Sequence, residues 1–181
     1  MWLFKRVALC APLLALVAIV IGLPTVAFGS DDNRSFHARF LGVNETPSVS
    51  SDATASLSLT IHGTGDAATI EYTLKFSGLR APVTQAHVHF GQSRVMGGVM
   101  FFLCGTATNP GPAGTPACDG GNISRTVKGS DVIGPSGQGI AAGEMARVVK
   151  AIQEGASYGN VHSTMFPLGE IRGQLVRTDN D

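Results

Sequence analysis

Short segments in which apolar and polar side chains alternate dominate the chain, and this pattern constrains its fold more than any other feature. Between positions 53 and 61, for example, Leu57, Leu59 and Ile61 alternate with serine and threonine. Side chains two residues apart on a strand share a face, so this alternation predicts strands with one buried side. The 23 glycines and 9 prolines among 181 residues mark frequent turns and disfavour a helical bundle.

Seven segments are predicted as strands on this basis: 36–41, 53–61, 68–76, 85–90, 98–104, 158–163 and 170–176. One later segment breaks the alternation, because Met145, Val148, Val149 and Ile152 follow helical spacing. Gly155 then follows as the expected C-terminal cap of this helix. The pattern therefore predicts an all-β domain, an antiparallel β-sandwich with one short helix inserted late in the chain.

The first 29 residues have the features of an export signal. Lys5 and Arg6 precede a stretch at 7–29 that carries no charge and ends in small residues. This order is typical of a secretory signal peptide that is cleaved near residue 29. The alternative is an uncleaved membrane anchor, because the apolar stretch approaches the roughly 20 residues that span a bilayer. In either case we expect the domain at 35–176 to be secreted or periplasmic, with a membrane contact only through the N-terminal segment.

The charge balance limits the classes of partner. The chain has 13 basic and 13 acidic residues, and removing Lys5 and Arg6 with the signal leaves a net charge of −2. No basic run is present that would hold a nucleic acid or an anionic membrane, so we expect an unidentified protein or small ligand as the partner. The contiguous motifs of α/β-hydrolases, zinc proteases, phosphate-binding loops and dinucleotide-binding folds are also missing. We therefore expect a non-catalytic domain, although a serine–histidine–aspartate triad requires no contiguous motif.

Cys104 and Cys118 are the two cysteines that follow the N-terminal segment. An even number of cysteines in an exported protein predicts a disulfide bond. The residues between them are rich in glycine, proline and threonine, as in a loop. The alternative is a pair of metal thiolates, which the absence of a Cys-x-x-Cys spacing disfavours.

Three histidines are the strongest candidates for site chemistry. His87 and His89 share one face of a predicted strand, while the apolar residues that alternate with them face the core, and His162 lies on a second strand. If the two strands meet, three neutral imidazoles would suit a copper or zinc ion, with Glu170 as a fourth ligand or supporting partner. The alternative is that the histidines are ordinary solvated or hydrogen-bonded side chains and that Glu170 pairs with Arg172.

A series of short motifs carries a family resemblance. In chain order these are FHARFLG at 36–42 with NETP at 44–47, SGL at 77–79, AHVHFG at 86–91, YGNVH at 158–162 and GEIRGQL at 169–175. Together they resemble the CHRD (chordin) domain family over residues 35–176. The resemblance implies an immunoglobulin-like β-barrel and a binding or structural module outside the cytoplasm. The cysteine-rich repeats with which chordin grips growth factors are absent, so antagonism of growth factors is not implied.

A second resemblance concerns the histidines. The segment from His87 to Gly91 is similar to the copper-ligand strand of Cu/Zn superoxide dismutases, which are Greek-key barrels. In those enzymes a later Val-His pair completes the copper site, as Val161 and His162 would here. The resemblance therefore implies a copper ion bound by His87, His89 and His162. Counterparts of the bridging histidine and the zinc ligands are missing, so the resemblance implies at most a three-histidine copper site and does not extend to turnover. Two functions stand: a binding or structural module without metal, and a copper protein.

Overall fold

The described part of the chain, residues 34–178 of the computed structural model, is built around one antiparallel sheet of nine strands. The strands are β1 (Ser35–Leu41), β2 (Thr54–His62), β3 (Thr69–Ser77), β4 (Val83–Phe90), β5 (Gly98–Gly105), β6 (Asn122–Val127), β7 (Ser157–Ser163), β8 (Ile171–Gln174) and β9 (Val176–Arg177). Their spatial order is β5-β4-β7-β8-β1-β2-β3-β6, with β9 also paired to β1. The sheet curls into a nearly closed barrel, which confirms the predicted all-β class.

The predicted export signal at 1–29 lies outside the described residues. Between residues 34 and 178, no helix combines the length and apolarity needed to cross a bilayer.

Inward-facing side chains from strands throughout the sheet fill the interior of the barrel. The largest fully buried ones include Phe40, Leu57, Ile70, Tyr72, Leu74, Phe101 and Leu103. The Tyr72 hydroxyl donates a hydrogen bond to the Leu103 carbonyl and so links β3 to β5 through the interior. This bond supplies the partner that a buried phenol needs, and it connects strands that are far apart in the sheet.

The short late helix is confirmed as α1 (Met145–Gln153). Met145, Val148, Val149 and Ile152 are all buried, as their spacing predicts. Gly155 follows with a φ of 71°, a left-handed conformation that favours glycine after a helix.

The strand predictions were incomplete at two places. β6 was missed because Arg125 lies between Ile123 and Val127 and interrupts the apolar alternation. Its guanidinium is satisfied by Asp131, with Nη2 and Oδ1 2.7 Å apart. The predicted strand at 170–176 is divided into β8 and β9: the Leu175 N–H donates to the Ser157 carbonyl at 2.9 Å, and the two residues that follow pair with Phe36 and His37 of β1.

Two motif glycines make room for the ring of Phe40. Gly159 in β7 and Gly173 in β8 lie opposite each other in the antiparallel register. A Cβ atom would lie 2.3 Å from Phe40 Cζ at position 159, and 2.6 Å from Phe40 Cδ1 at position 173. Both distances are too short for real carbon atoms, so packing of the buried ring requires glycine at both positions.

The predicted disulfide between Cys104 and Cys118 is present, with Cα atoms 5.0 Å apart. It joins the end of β5 to the turn that precedes β6 and closes the glycine- and proline-rich loop between them.

Candidate metal centre

The pairing of β4 with β7 brings the three predicted histidines together. In the antiparallel register His89 lies opposite Tyr158, His87 opposite Asn160, and Gln85 opposite His162. Side chains from both strands therefore project from the same face of the sheet. One ring nitrogen from each histidine can be chosen so that all three atoms lie within 4.8 Å of one another. The sequence could assign His87 and His89 to one face, but it could not show that β7 would be their neighbour.

This face is covered rather than solvated. His87, His89 and His162 are only 3%, 7% and 6% exposed. Phe102 packs edge-on against His87, with ring centroids 4.3 Å apart, and Tyr158 stacks on His89 at 4.7 Å. The alternative that the three histidines are ordinary solvated side chains is therefore wrong. All three are buried, and each lies within hydrogen-bond distance of a neighbouring group.

Backbone carbonyls select the tautomer of two of the rings. His89 Nδ1 lies 2.9 Å from the Gly97 carbonyl oxygen, and His162 Nδ1 lies 3.1 Å from that of Pro167. A carbonyl can only accept, so each Nδ1 carries the proton and donates it, and each Nε2 keeps a lone pair. A carbonyl partner of this kind commonly orients histidines that bind metals.

Asn160 is a member of the site that the sequence reasoning missed. Its Oδ1 atom lies 3.0 Å from the Nε2 atoms of both His89 and His162. An amide oxygen accepts hydrogen bonds, so it meets two nitrogen lone pairs with no proton between them. A cation at this point would satisfy all three atoms. The available signal was the spacing of Asn160 and His162, which are two residues apart on one strand and therefore share a face.

His87 completes the group. Its Nδ1 atom lies 3.1 Å from His162 Nε2, while its own Nε2 is buried without a hydrogen-bond partner among the described residues. A neutral imidazole has one protonated nitrogen, so Nδ1 would offer its lone pair beside His162 Nε2 when the ring proton is on Nε2.

The environment keeps the three rings neutral at pH 7. Burial, with smaller contributions from the neighbouring His162 and His89, lowers the pKa of His87 to about 2. Burial likewise lowers the pKa of His162 to about 4, against a smaller opposing effect of its bond to Pro167. Burial also lowers the pKa of His89. Because a metal ligand must offer an unprotonated nitrogen, this electrostatic environment favours coordination.

Glu170 and Arg172 make other contacts. Glu170 is fully buried, and its Oε1 accepts hydrogen bonds from the Ser51 hydroxyl at 2.7 Å and from the Arg80 N–H at 2.8 Å. The guanidinium of Arg172 lies over the Tyr158 ring and donates to two backbone carbonyls of the loop after β4. Glu170 therefore bonds to the loops that contain Ser51 and Arg80. Arg172 packs over Tyr158, the ring that stacks on His89.

Comparison with protein-family models gives a match. The family model described as the CHRD domain matches residues 36–175 of this chain, well over half of its length. No match was found among curated proteins or among solved structures.

Proposed function

We propose that this chain, which belongs to the CHRD domain family, is a non-catalytic module that acts outside the cytoplasm and holds one copper ion. The ion would be bound by His87, His89 and His162, with the Asn160 amide oxygen as a further donor. The observation that carries the proposal is the convergence of the unprotonated Nε2 atoms of His89 and His162 on one point.

The spacing of the donor atoms supports a metal ion. Metal–nitrogen bonds of about 2.0 Å place neighbouring ligand nitrogens roughly 2.8 Å apart in the tetragonal geometry typical of Cu²⁺ and roughly 3.3 Å apart in a tetrahedral site. His87 Nδ1 and His162 Nε2 are already 3.1 Å apart, and both Nε2 atoms lie 3.0 Å from Asn160 Oδ1. Copper is favoured among the divalent ions because imidazole sites bind Cu²⁺ most tightly in the first transition row.

Burial supports a non-catalytic role. A catalytic metal keeps one coordination position open to substrate, whereas a structural metal is closed by protein ligands. The three histidines are almost fully buried beneath Phe102 and Tyr158. An ion in this position would stabilise β4 against β7 and would be shielded from a diffusing substrate.

The disulfide and the family support a location outside the cytoplasm. Disulfides persist in oxidising compartments and are rare in the cytosol. Cys104 and Cys118 form such a bond. Intact mass of the exported protein would test this part of the proposal: loss of about 29 residues indicates a cleaved signal, the full-length mass indicates an anchor, and a purely cytosolic protein contradicts both.

Copper binding is tested on protein made without a histidine tag. We expect one Cu²⁺ per chain after gel filtration and an electron paramagnetic resonance spectrum with nitrogen coupling. The double variant His87→Gln/His89→Gln should lose the copper, while His62→Gln, which alters an exposed histidine, should retain it. Folding of each variant is checked by circular dichroism.

Three results would overturn the proposal. A folded wild-type protein that takes up no copper would refute the metal site and leave a metal-free binding module. Copper that survives the double substitution would place the ion elsewhere. Superoxide dismutation by the loaded protein above that of an equal amount of the double variant with added copper would refute the non-catalytic role.

A further inference from the structure

An open groove lies on the outer face of β1, β2 and β3, where the sheet meets solvent. Its volume is about 550 Å³, within the range of about 300–1,000 Å³ that drug-sized ligands occupy. None of the described residues that line the groove is acidic. The outward side chains that line it are basic or carry a hydroxyl group, and they include Arg39, Thr54, Ser56, Ser58, Lys75 and Ser77.

The strand register places two of the basic residues on either side of a serine. Arg39 of β1 lies opposite Ser56 of β2, and Ser56 lies opposite Lys75 of β3. Neighbouring strands are about 4.8 Å apart, so the Cα atoms of Arg39 and Lys75 are roughly 10 Å apart. All three residues are exposed, and their side chains make no hydrogen bond or ion pair with another described residue. These polar groups are therefore available to a ligand.

The charge of the groove differs from that of the domain around it. Residues 30–181 contain 11 basic and 13 acidic residues, a net charge of −2. Glu71 shares the outer face of β3 with Lys75, but it lies four positions away and contacts His62, with Oε2 and Nε2 3.5 Å apart. The groove is thus a local positive region on a mildly acidic domain, and its charge is complementary to an anion.

A peptide cannot extend the sheet at this place. β2 is paired with both β1 and β3, β1 is also paired with β8 and β9, and β3 is also paired with β6. The three strands therefore present no free edge to which an extended peptide could add as a further strand. A ligand in the groove is recognised by the side chains alone.

We propose that this groove binds an acidic oligosaccharide, whose carboxylate groups pair with Arg39 and Lys75 and whose hydroxyl groups bond to the serine and threonine side chains. A guanidinium group can bind a carboxylate through two parallel hydrogen bonds. A hydroxyl group both donates and accepts, so the side chains of Ser56 and Ser58 match the hydroxyl groups of a sugar. The separation of Arg39 and Lys75 suits a ligand with more than one carboxylate.

The proposal does not depend on copper. The groove contains none of the three histidines of the candidate metal centre, and β8 lies between β7 and β1 in the sheet. Binding of the oligosaccharide is therefore expected in both the metal-free and the copper-loaded protein, and a failure of either proposal leaves the other standing.

Trigalacturonic acid and its trimethyl ester are the matched probes, because they share one sugar skeleton and differ in the charge of the carboxyl groups. We expect trigalacturonate to saturate one site on the full chain in a calorimetric titration at neutral pH and low ionic strength. The ester should bind about tenfold more weakly, as should trigalacturonate to the double variant Arg39→Gln/Lys75→Gln. Arg94→Gln/Lys150→Gln removes the same charge from exposed positions outside the groove and should bind trigalacturonate as the wild type does.

The hydroxyl contacts are tested separately. Ser56→Ala/Ser58→Ala should weaken the binding of both probes by the same factor, because bonds to sugar hydroxyls do not depend on the carboxylates. Ser93→Ala/Ser136→Ala, a change at two exposed serines outside the groove, should leave both affinities unchanged. Melting curves show whether each variant is folded.

Three results would overturn the proposal. Absence of saturable binding, or equal affinity of trigalacturonate for the wild type and Arg39→Gln/Lys75→Gln, would refute the groove as the site. Unchanged affinities in Ser56→Ala/Ser58→Ala would refute the recognition of sugar hydroxyls. Sulfate or a short poly-aspartate peptide that binds the wild type as tightly as trigalacturonate would show a general anion contact and refute the assignment to a carbohydrate.

Discussion

Replacing His162 by glutamine should reduce the loss of stability in acid of the metal-free protein. Burial lowers the pKa of His162 from 6.5 to about 4 in the folded state. Between these two values the unfolded chain binds a proton that the folded protein does not bind. The stability contributed by the neutral ring is therefore fully present above pH 6.5 and is lost as the pH falls towards 4.

The magnitude follows from the size of the shift. One pKa unit corresponds to 1.36 kcal/mol, so the full loss below pH 4 is about 3 kcal/mol, of which about 2 kcal/mol is already lost at pH 5. Glu45 acts in the opposite direction, because burial raises its pKa to about 7 and so stabilises the protonated folded state between pH 7 and 4.5. The two effects partly cancel in the wild type, so the difference between variants is the quantity to measure.

Urea unfolding at pH 8, 6.5 and 5 in the presence of a chelator measures this difference. From pH 8 to pH 5 the wild type should lose about 2 kcal/mol more unfolding free energy than His162→Gln. His62→Gln should follow the wild type, because His62 is exposed. Equal losses in wild type and His162→Gln would refute the assignment of His162 as a buried neutral base.

Three further changes test the packing, the cross-link and the buried acid. Gly173→Ala should lower the unfolding free energy by about 2 kcal/mol, because the added methyl group clashes with the neighbouring strand and with the ring of Phe40. The control Gly137→Ala places its methyl group in open space and should change the unfolding free energy by less than about 0.5 kcal/mol in the same urea titration. Equal effects of the two substitutions would contradict the packing argument. Replacing Cys104 and Cys118 by serine should cost about 3 kcal/mol for the lost loop closure, seen as a lower melting temperature; an unchanged melting temperature would argue against the cross-link. From pH 8 to pH 4.5 the unfolding free energy of the wild type in urea titrations should rise by about 3 kcal/mol relative to that of Glu45→Gln, because the buried carboxyl group becomes protonated. If the unfolding free energies of the two proteins change equally with pH, the pKa of Glu45 is not raised by burial.

The strands and the helix were largely predictable because their signals are local. In β2 every second residue is apolar and buried, and the apolar residues of α1 follow helical spacing, so each periodicity matches one secondary structure. β6 was not predictable in this way, since Arg125 sits where an apolar residue would be expected and is compensated by Asp131.

The same distinction between local signals and long-range contacts applies to the candidate site. By itself the sequence determined the shared face of His87 and His89, the class of the fold and the family, because each depends on residue spacing or on motifs along the chain. Only the tertiary structure decided that β7 lies beside β4, that Asn160 joins the histidines, that Glu170 lies elsewhere and that the rings are buried. Strand pairing and burial depend on contacts between residues distant in sequence, and the spacing within one strand carries no information about which strand will lie next to it.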